Sequence, residues 1–245
     1  MPPATGLQQL RELIRDHADP DKAKFLTRFF RTGPGEYAAG DKMLGIPVPA
    51  QRKIALSYST LPLTQIQELL QSPYHEERLI SLLIATHHFE KALKSKDLTG
   101  AQDVVRLYLK NTARINNWDL VDLSAYKILG RWLYLQNKGY KILEKLAHSP
   151  NLWKKRIAMV STYYYIKQRE LTPTLQIATI LLHDRHDLIH KAVGWMLREV
   201  GKISRPDLDR FLAEHYRRMP RTTLRYAIEK HPPATRQKYL LGKME

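Results

Sequence analysis

Apolar residues along this chain are spaced three and four positions apart, which is the spacing of one face of an amphipathic helix. Leu7, Leu10 and Ile14 follow this spacing near the start, and Val104 and Leu107 follow it again in the middle of the chain. No segment shows the two-residue alternation, closed by turn pairs, that is typical of a β-hairpin. The sequence therefore predicts an all-α protein of about a dozen short helices joined by short links.

Hydroxyl residues in front of prolines indicate where helices begin. Ser72–Pro73, Ser149–Pro150 and Thr172–Pro173 each place a capping hydroxyl before a proline at the expected first helical position. Ser204, followed three residues later by Asp207, predicts another helix start of the capping-box type.

A long stretch rich in glycine and proline, Gly33–Pro49, interrupts the helical pattern. It could be a linker between domains. We favour an ordered surface loop, because its apolar residues Met43, Leu44 and Ile46 need somewhere to pack. We therefore expect a single domain over residues 1–245, with residues 33–49 as an ordered surface insertion.

A repeated pattern predicts the architecture. A basic residue begins an apolar stretch at Arg156, Lys191 and Arg225, at separations of 35 and 34 residues, and Arg78 begins a weaker copy. This period is typical of HEAT-like or armadillo-like repeats, which stack antiparallel helix pairs into a curved solenoid. Equivalent basic residues would then line one concave face. The alternative is that chance helical amphipathicity produces these short matches.

The formal net charge of +16 restricts the class of partner. A protein this basic usually binds a polyanion, which is nucleic acid, an acidic membrane or an acidic protein. The chain contains no cysteine, so disulfides and thiolate metal sites are excluded. We see no secretory signal and no apolar run long enough to cross a bilayer, and we expect a cytoplasmic protein.

Two tryptophans and a carboxylate are the first candidates for chemistry. Trp118 and Asp122 are four residues apart, so they share one helix face, and an indole beside a carboxylate can stabilise a cation. Trp195 follows Gly194, whose position within a helix predicts close approach of another element, such as a neighbouring helix. The repeat period places Arg156 between these two regions. All four side chains could therefore converge on the concave face; the alternative is two core tryptophans and two solvated charges.

Other motifs give weaker evidence for a functional site. His183, His186 and His190 step by three and four residues, which would suit metal ligands on a helix, but the segment also looks like the turn before a helix. There is no glycine-rich phosphate loop, dinucleotide-binding fingerprint or nucleophile elbow. We therefore expect neither a metal nor a cofactor.

Three well-spaced stretches make the chain resemble the AlkD-like DNA alkylation repair family, the HEAT-like repeat DNA glycosylases. These stretches are Trp118–Asp122, Leu152–Ala158 and Lys191–Glu199, and the loop Gly33–Pro49 is also similar. The resemblance runs from about residue 20 to about residue 230.

The resemblance implies a role for each matched residue. It assigns the catalytic aspartate to Asp122, the active-site tryptophans to Trp118 and Trp195, and the arginine that grips a DNA phosphate to Arg156. Further phosphate contacts are expected from four nearby cations, Lys154, Lys155, Lys191 and Arg198. The chain departs from the family at two positions, where Asn117 replaces a tryptophan and Phe29 replaces a residue that is often tyrosine.

The resemblance implies a DNA glycosylase that acts on duplex DNA. We expect a monomer, since a single solenoid domain can grip DNA without a dimer, and association with the nucleoid through DNA. Its substrates would be cationic purines alkylated at N3 or N7, as in base excision repair of alkylation damage. The damaged base would stay stacked or face solvent, so no base pocket is expected. The alternatives are a non-enzymatic HEAT-repeat protein that binds damaged or branched DNA, an adaptor for an acidic protein, and a membrane-surface protein.

Overall fold

The computed structural model describes residues 6–137 and 139–244, and this part of the chain contains helices but no strands. Lys42 and Tyr74 form an isolated parallel β-bridge. The predicted all-α fold is confirmed. None of the described helices has the length and apolar character needed to cross a membrane.

Two compact units divide at Ser124 and Ala125. The first contains α1 Gly6–Asp16, α2 Pro20–Phe29, α3 Val48–Ser57, α4 Leu63–Leu70, α5 His75–Lys94, α6 Leu98–Lys110, a 3₁₀ turn Thr112–Arg114, and α7 Trp118–Ala125, whose last residue falls in the second unit. The expected single domain stays a prediction.

The second unit continues directly with a π-helical turn, Tyr126–Gly130, and α8 Arg131–Gln136. After these come α9 Lys141–Ala147, α10 Leu152–Ser161, α11 Tyr163–Lys167, α12 Thr172–Leu181, α13 Asp187–Ile203, α14 Arg205–His215, α15 Arg221–Ala227 and α16 Pro233–Leu240.

Helix α5 is the central element of the first unit. Every residue from His75 to Thr86 is buried, and α3, α4 and α6 pack around this helix. A helix without a polar face is stable only when other elements cover it on all sides. Its first turns therefore bring charged side chains into the core, where each needs a partner.

The predicted loop, residues 33–49, is ordered by one of these buried charges. The Glu76 carboxylate accepts hydrogen bonds from the backbone N–H groups of residues 44–46, at 2.8–3.4 Å. Gly45 adopts a φ of +83° and lies against the backbone of Asp19, where a β-carbon would not fit. Residues 48 and 49 already belong to α3.

The repeat residues fall at equivalent places in helices of the second unit. Arg156, Lys191 and Arg225 are each the fifth residue of α10, α13 and α15, and α13 packs against both of the other helices. Their exposures differ, however: Arg156 is buried, whereas Arg225 is exposed. Arg78, the weaker copy in the first unit, is fully buried. Repeat position therefore predicts where a residue sits in its helix and does not predict that its charge faces solvent.

Three of the four predicted helix starts need correction. Helices α5 and α10 begin two residues after Pro73 and Pro150, because Ser72 and Ser149 close turns that precede the helices. Helix α12 begins at Thr172 itself, one residue earlier than expected. The start at Ser204 is confirmed, because its hydroxyl accepts a hydrogen bond from the Asp207 N–H at 3.4 Å.

Gly194 lies where α13 meets α15, which confirms the close approach that the sequence predicts. A β-carbon there would lie 2.5 Å from the Tyr226 β-carbon and 2.6 Å from the Thr223 carbonyl oxygen. Alanine is favoured over glycine in a helix by about 1 kcal/mol, but overpacking against backbone costs about 1–3 kcal/mol. We therefore expect Gly194→Ala to lower the free energy of unfolding by about 1–2 kcal/mol, measured by urea denaturation.

The matched control for this prediction is Gly201→Ala in the same helix, where the β-carbon would meet the end of the Leu208 side chain and no backbone atom. This variant should lose less stability than Gly194→Ala. Equal losses for both variants would show that backbone contact with α15 is not the reason for glycine at position 194.

Candidate functional site

Trp118 and Asp122 lie one turn apart on α7 and line the same cavity in the first unit. The cavity encloses about 400 Å³. Its wall is mostly apolar and is built from α2, α3, α5, α7 and the ordered loop; the lining residues are Leu26, Phe29, Phe30, Ile46, Pro47, Val48, Gln51, His75, Glu76, Trp118, Asp119, Asp122 and Leu123. The predicted pairing of indole and carboxylate on one helix face is therefore present.

An aromatic cluster holds the Trp118 ring. The Phe30 ring stacks on it with centroids 5.3 Å apart, and the Phe29 ring meets it edge-on at 5.9 Å. Phe30 is buried, whereas Phe29 is 53 % exposed at the rim. Phe25, one turn earlier on α2, stacks on Phe29 and is also exposed. Phe29, which the resemblance places at an N-terminal aromatic position, thus contacts a predicted active-site tryptophan.

Asn117, the other residue that the resemblance marks as a departure, directly precedes α7. The Asn117 side-chain oxygen accepts the Trp118 backbone N–H at 2.8 Å, and the Asn117 carbonyl accepts the Val121 N–H at 3.2 Å. Asparagine is a favoured residue at a helix start, because its side chain satisfies an N–H group that has no partner within the helix. Asn117 therefore has a structural role in beginning the helix that carries Trp118 and Asp122.

A buried ionic network lies behind this helix start. His75 Nε2 donates to Asp119 at 2.8 Å, and His75 Nδ1 lies 3.7 Å from Asp41. Arg78 donates to Asp41 at 2.5 Å and to the Ser72 carbonyl at 3.0 Å. This network was not predicted from the sequence; the available signal was four polar residues in succession, residues 75–78, at the start of a helix that is otherwise mostly apolar in its first half.

The charges of the network set its protonation state. Burial alone would lower the pKa of His75, but the charge and hydrogen bond of Asp119, together with Asp41, outweigh burial and raise the pKa to about 9. Burial likewise acts to raise the pKa of Asp41, yet the proximity of His75 and the charge and hydrogen bond of Arg78 hold that pKa below its usual value. His75 is therefore a cation at neutral pH, held between two carboxylates.

The other two predicted residues lie in the second unit. Trp195 is half-buried on α13, and its ring centroid is 6.0 Å from that of Tyr163. Arg156 is 5 % exposed and donates to the Leu188 carbonyl at 2.5 Å. Trp118 and Asp122 are thus brought together within one unit. The convergence of all four residues stays a prediction.

Carboxylates pair with predicted phosphate-binding cations in the second unit. Lys155 pairs with Asp184 at 2.5 Å and Lys191 with Asp187 at 2.8 Å, and Arg198 pairs with two glutamates, Glu199 and Glu229. Lys154 lies in the first turn of α10, half-buried. A DNA phosphate would compete with these carboxylates for the same cations, and this competition lowers the net gain from each contact.

The histidine cluster has structural partners. His186 precedes α13 and its Nδ1 accepts the Leu188 N–H at 3.1 Å, while His190 Nε2 donates to the Asp184 carbonyl at 2.5 Å. The segment thus contains the turn before α13, which was the alternative to a metal site in the sequence analysis. Within residues 6–137 and 139–244, no group of three or more histidine and acidic side chains is arranged to hold a metal ion.

Comparisons with known proteins find a family and a fold to which this chain is similar. A family model described as "DNA alkylation repair enzyme" matches residues 10–231. A solved structure described as a predicted DNA alkylation repair enzyme from Enterococcus faecalis superimposes with a TM-score of 0.67, at 17 % identity, over 89 % of this chain and 98 % of that one. No curated protein matches this chain in sequence.

Two structures from Streptococcus mutans are also similar. One is AlkD2, with a TM-score of 0.53 and 15 % identity over 86 % of this chain and 98 % of that one. The other is smu.31, with a TM-score of 0.52 and 16 % identity over 91 % of this chain and 96 % of that one. At these identities the structural likeness shows a shared fold.

Proposed function

This chain belongs to the DNA alkylation repair enzyme family, and on that premise we propose that it is a DNA glycosylase for cationic N3- or N7-alkylated purines in duplex DNA. The observation that carries this proposal is the position of Asp122 beside Trp118 at the wall of an aromatic cavity. A carboxylate among aromatic rings is suited to stabilise a cation, because its charge is only weakly screened there.

The substrate class explains why one carboxylate suffices. Most glycoside hydrolases need a second carboxyl group to protonate the leaving group. A purine alkylated at N3 or N7 already carries a positive charge and leaves without a proton. As the C1′–N bond breaks, its electron pair enters the purine ring, which becomes neutral, and positive charge develops on the sugar. Water then bonds to C1′ and releases a proton, giving an abasic site and a free base.

Each predicted residue has a task in this scheme. Asp122 stabilises the cationic sugar and orients the attacking water, and Trp118 and Trp195 pack on the deoxyribose. Arg156 grips a phosphate beside the lesion. The damaged base remains in the helix during bond cleavage, as the resemblance implies, so bulky adducts are substrates as well. Because Arg156 is buried and bonded to Leu188, its contact with DNA requires an exchange of partners.

The direct test is base release from duplex DNA. The purified protein is incubated with duplexes that carry 3-methyladenine or 7-methylguanine and with the undamaged duplex, and free base is measured by chromatography. The proposal expects release from the methylated duplexes alone. Tight duplex binding with no release would favour the second candidate, a non-enzymatic protein that binds damaged or branched DNA, which the basic composition alone also supports.

Binding to duplex DNA should depend strongly on salt. Five predicted phosphate contacts, from Arg156, Lys154, Lys155, Lys191 and Arg198, correspond to a slope of about −4.5 in log K against log salt. Affinity should therefore fall about 500-fold between 50 and 200 mM salt. Lys154→Gln should reduce the slope by about 0.9. Weak duplex binding already at moderate salt, measured by fluorescence anisotropy, would instead favour an adaptor whose partner is an acidic protein.

A further inference from the structure

Three aromatic rings form a row within the second unit. Tyr126 comes from the π-helical turn, Tyr163 from α11 and Trp195 from α13. The Tyr126 and Tyr163 rings meet edge to face with centroids 5.2 Å apart, and the Tyr163 centroid lies 6.0 Å from that of Trp195. All three side chains are half-buried. Trp195, the proposed sugar contact, is thus one member of a row of partly exposed rings.

Two lysine side chains lie over the Tyr126 ring. Lys127 Nζ is 5.9 Å and Lys167 Nζ is 6.0 Å from the ring centroid. The face of an aromatic ring attracts an ammonium group, but two ammonium groups at one ring repel each other. An anion that binds beside this ring is attracted by both lysines and reduces the repulsion between them.

Lys167 differs from the cations that the sequence predicts as phosphate contacts. Lys155 and Lys191 each pair with an aspartate. Lys167 is exposed and, among the described residues, has no carboxylate within ion-pair distance. A phosphate that binds Lys167 therefore replaces counterions and water and does not compete with a carboxylate of the protein.

The course of the chain places Tyr163 and Lys167 on the same side as Arg156. Thr162, between α10 and α11, has helical dihedral angles (φ −66°, ψ −15°), so the chain continues from one helix into the next. Tyr163 follows Arg156 by seven residues, which is close to two turns, and Lys167 follows Tyr163 by four. Arg156, the proposed phosphate contact, therefore shares a helix face with an aromatic ring and an exposed cation.

We propose that Tyr163 and Lys167 bind the sugar–phosphate backbone of the strand that carries the lesion, next to the damaged nucleotide. Tyr163 packs on the neighbouring deoxyribose, and Lys167 binds a phosphate. Aromatic rings interleaved with cations are typical of surfaces that follow a nucleic-acid strand. This inference rests on the proposed function, because the proposed roles of Trp195 and Arg156 place the row beside the lesion. Both contacts are with the backbone, so the damaged base remains in the helix.

The first test is duplex binding by the full chain, measured by fluorescence anisotropy at several salt concentrations. The duplex carries one tetrahydrofuran abasic analogue, which has no base to release. Lys167→Gln should lower the affinity about 8-fold at 100 mM salt and reduce the slope of log K against log salt by about 0.9. Lys145→Gln, at an exposed position on α9, is the matched control and should stay within about 2-fold of the wild type.

The ring contact has a different signature. Tyr163→Leu should lower the affinity about 5-fold at every salt concentration and leave the slope unchanged, because an apolar contact with a sugar releases no counterion. Tyr163→Phe keeps the ring and should bind as the wild type does. Because Lys167 is exposed, its variant tests the site even if Tyr163→Leu does not fold.

Uncharged linkages locate the phosphate. A methylphosphonate replaces one phosphate at a time, within a few nucleotides of the abasic analogue on the same strand. At one position it should weaken wild-type binding about 8-fold and leave binding by Lys167→Gln unchanged. The inference is wrong if Lys167→Gln binds like Lys145→Gln, or if no position on this strand cancels the effect of Lys167→Gln.

Base release from methylated duplex is scored separately, so that the two proposals can fail independently. Base release by the wild type together with wild-type affinity of Lys167→Gln contradicts this inference alone. Binding that depends on Lys167, without base release by the wild type, contradicts the proposed glycosylase alone. Absence of duplex binding by the folded wild type overturns both.

Discussion

Asp122→Asn is expected to lower base release from methylated duplex DNA by at least about 100-fold while leaving duplex affinity close to that of the wild type. Asparagine keeps the shape of the side chain and removes its negative charge. That charge acts on the developing sugar cation, which exists in the transition state and not in the bound ground state. The loss should therefore appear in the single-turnover rate constant, measured with enzyme in excess over a duplex that carries 7-methylguanine.

The informative control is Asp119→Asn on the same helix. Asp119 lines the same cavity, but its carboxylate is bonded to buried His75 at 2.8 Å. Its loss should lower the free energy of unfolding by about 3 kcal/mol or more, because it leaves a buried cation short of one partner. Asp122→Asn should lose less stability than Asp119→Asn, because Asp122 is half-buried whereas Asp119 is buried. Base release by Asp122→Asn at the wild-type rate would show that the catalytic assignment is wrong.

The stability of the protein should fall between neutral pH and about pH 10 because of His75. Its pKa in the folded protein is about 9, above the value of 6.5 that it has without the network. The folded state binds the proton more tightly, so the extra stability is fully present below pH 6.5 and is lost as the pH rises through 9. A difference of this size corresponds to about 3 kcal/mol across the whole window. Urea unfolding from pH 6 to pH 10 measures it.

His75→Gln is the matched variant for this pH dependence. Glutamine can still donate to Asp119 but carries no charge, so the variant should be less stable at pH 6 and its stability should change little up to pH 10. Should the variant not fold, NMR titration of the His75 imidazole in the wild type gives the pKa directly. A wild-type stability that is constant from pH 7 to pH 10, or an imidazole that titrates near 6.5, would contradict the ionic network.

Local patterns determined the secondary structure. The three- and four-residue spacing of residues such as Leu7, Leu10 and Ile14 predicted helices, since that period places buried side chains on one face. The Ser204 cap was predicted because its hydroxyl reaches an N–H only three residues away. The helix starts predicted at Ser72 and Ser149 were wrong, because a serine before a proline can also close a turn. Here each hydroxyl accepts the N–H group two residues later, ahead of the helix.

Trp118 and Asp122 were predicted as site residues from the sequence, because they are four residues apart on one helix face and lie in a stretch that resembles the family. Tertiary packing decided what surrounds them. Gln51 and His75 come from α3 and α5, and their places on the cavity wall follow from how helices distant in sequence stack. Periodicity identifies which face of a helix is buried but not which partner covers it, so the ionic partners and the charged state of His75 emerged only from the tertiary structure.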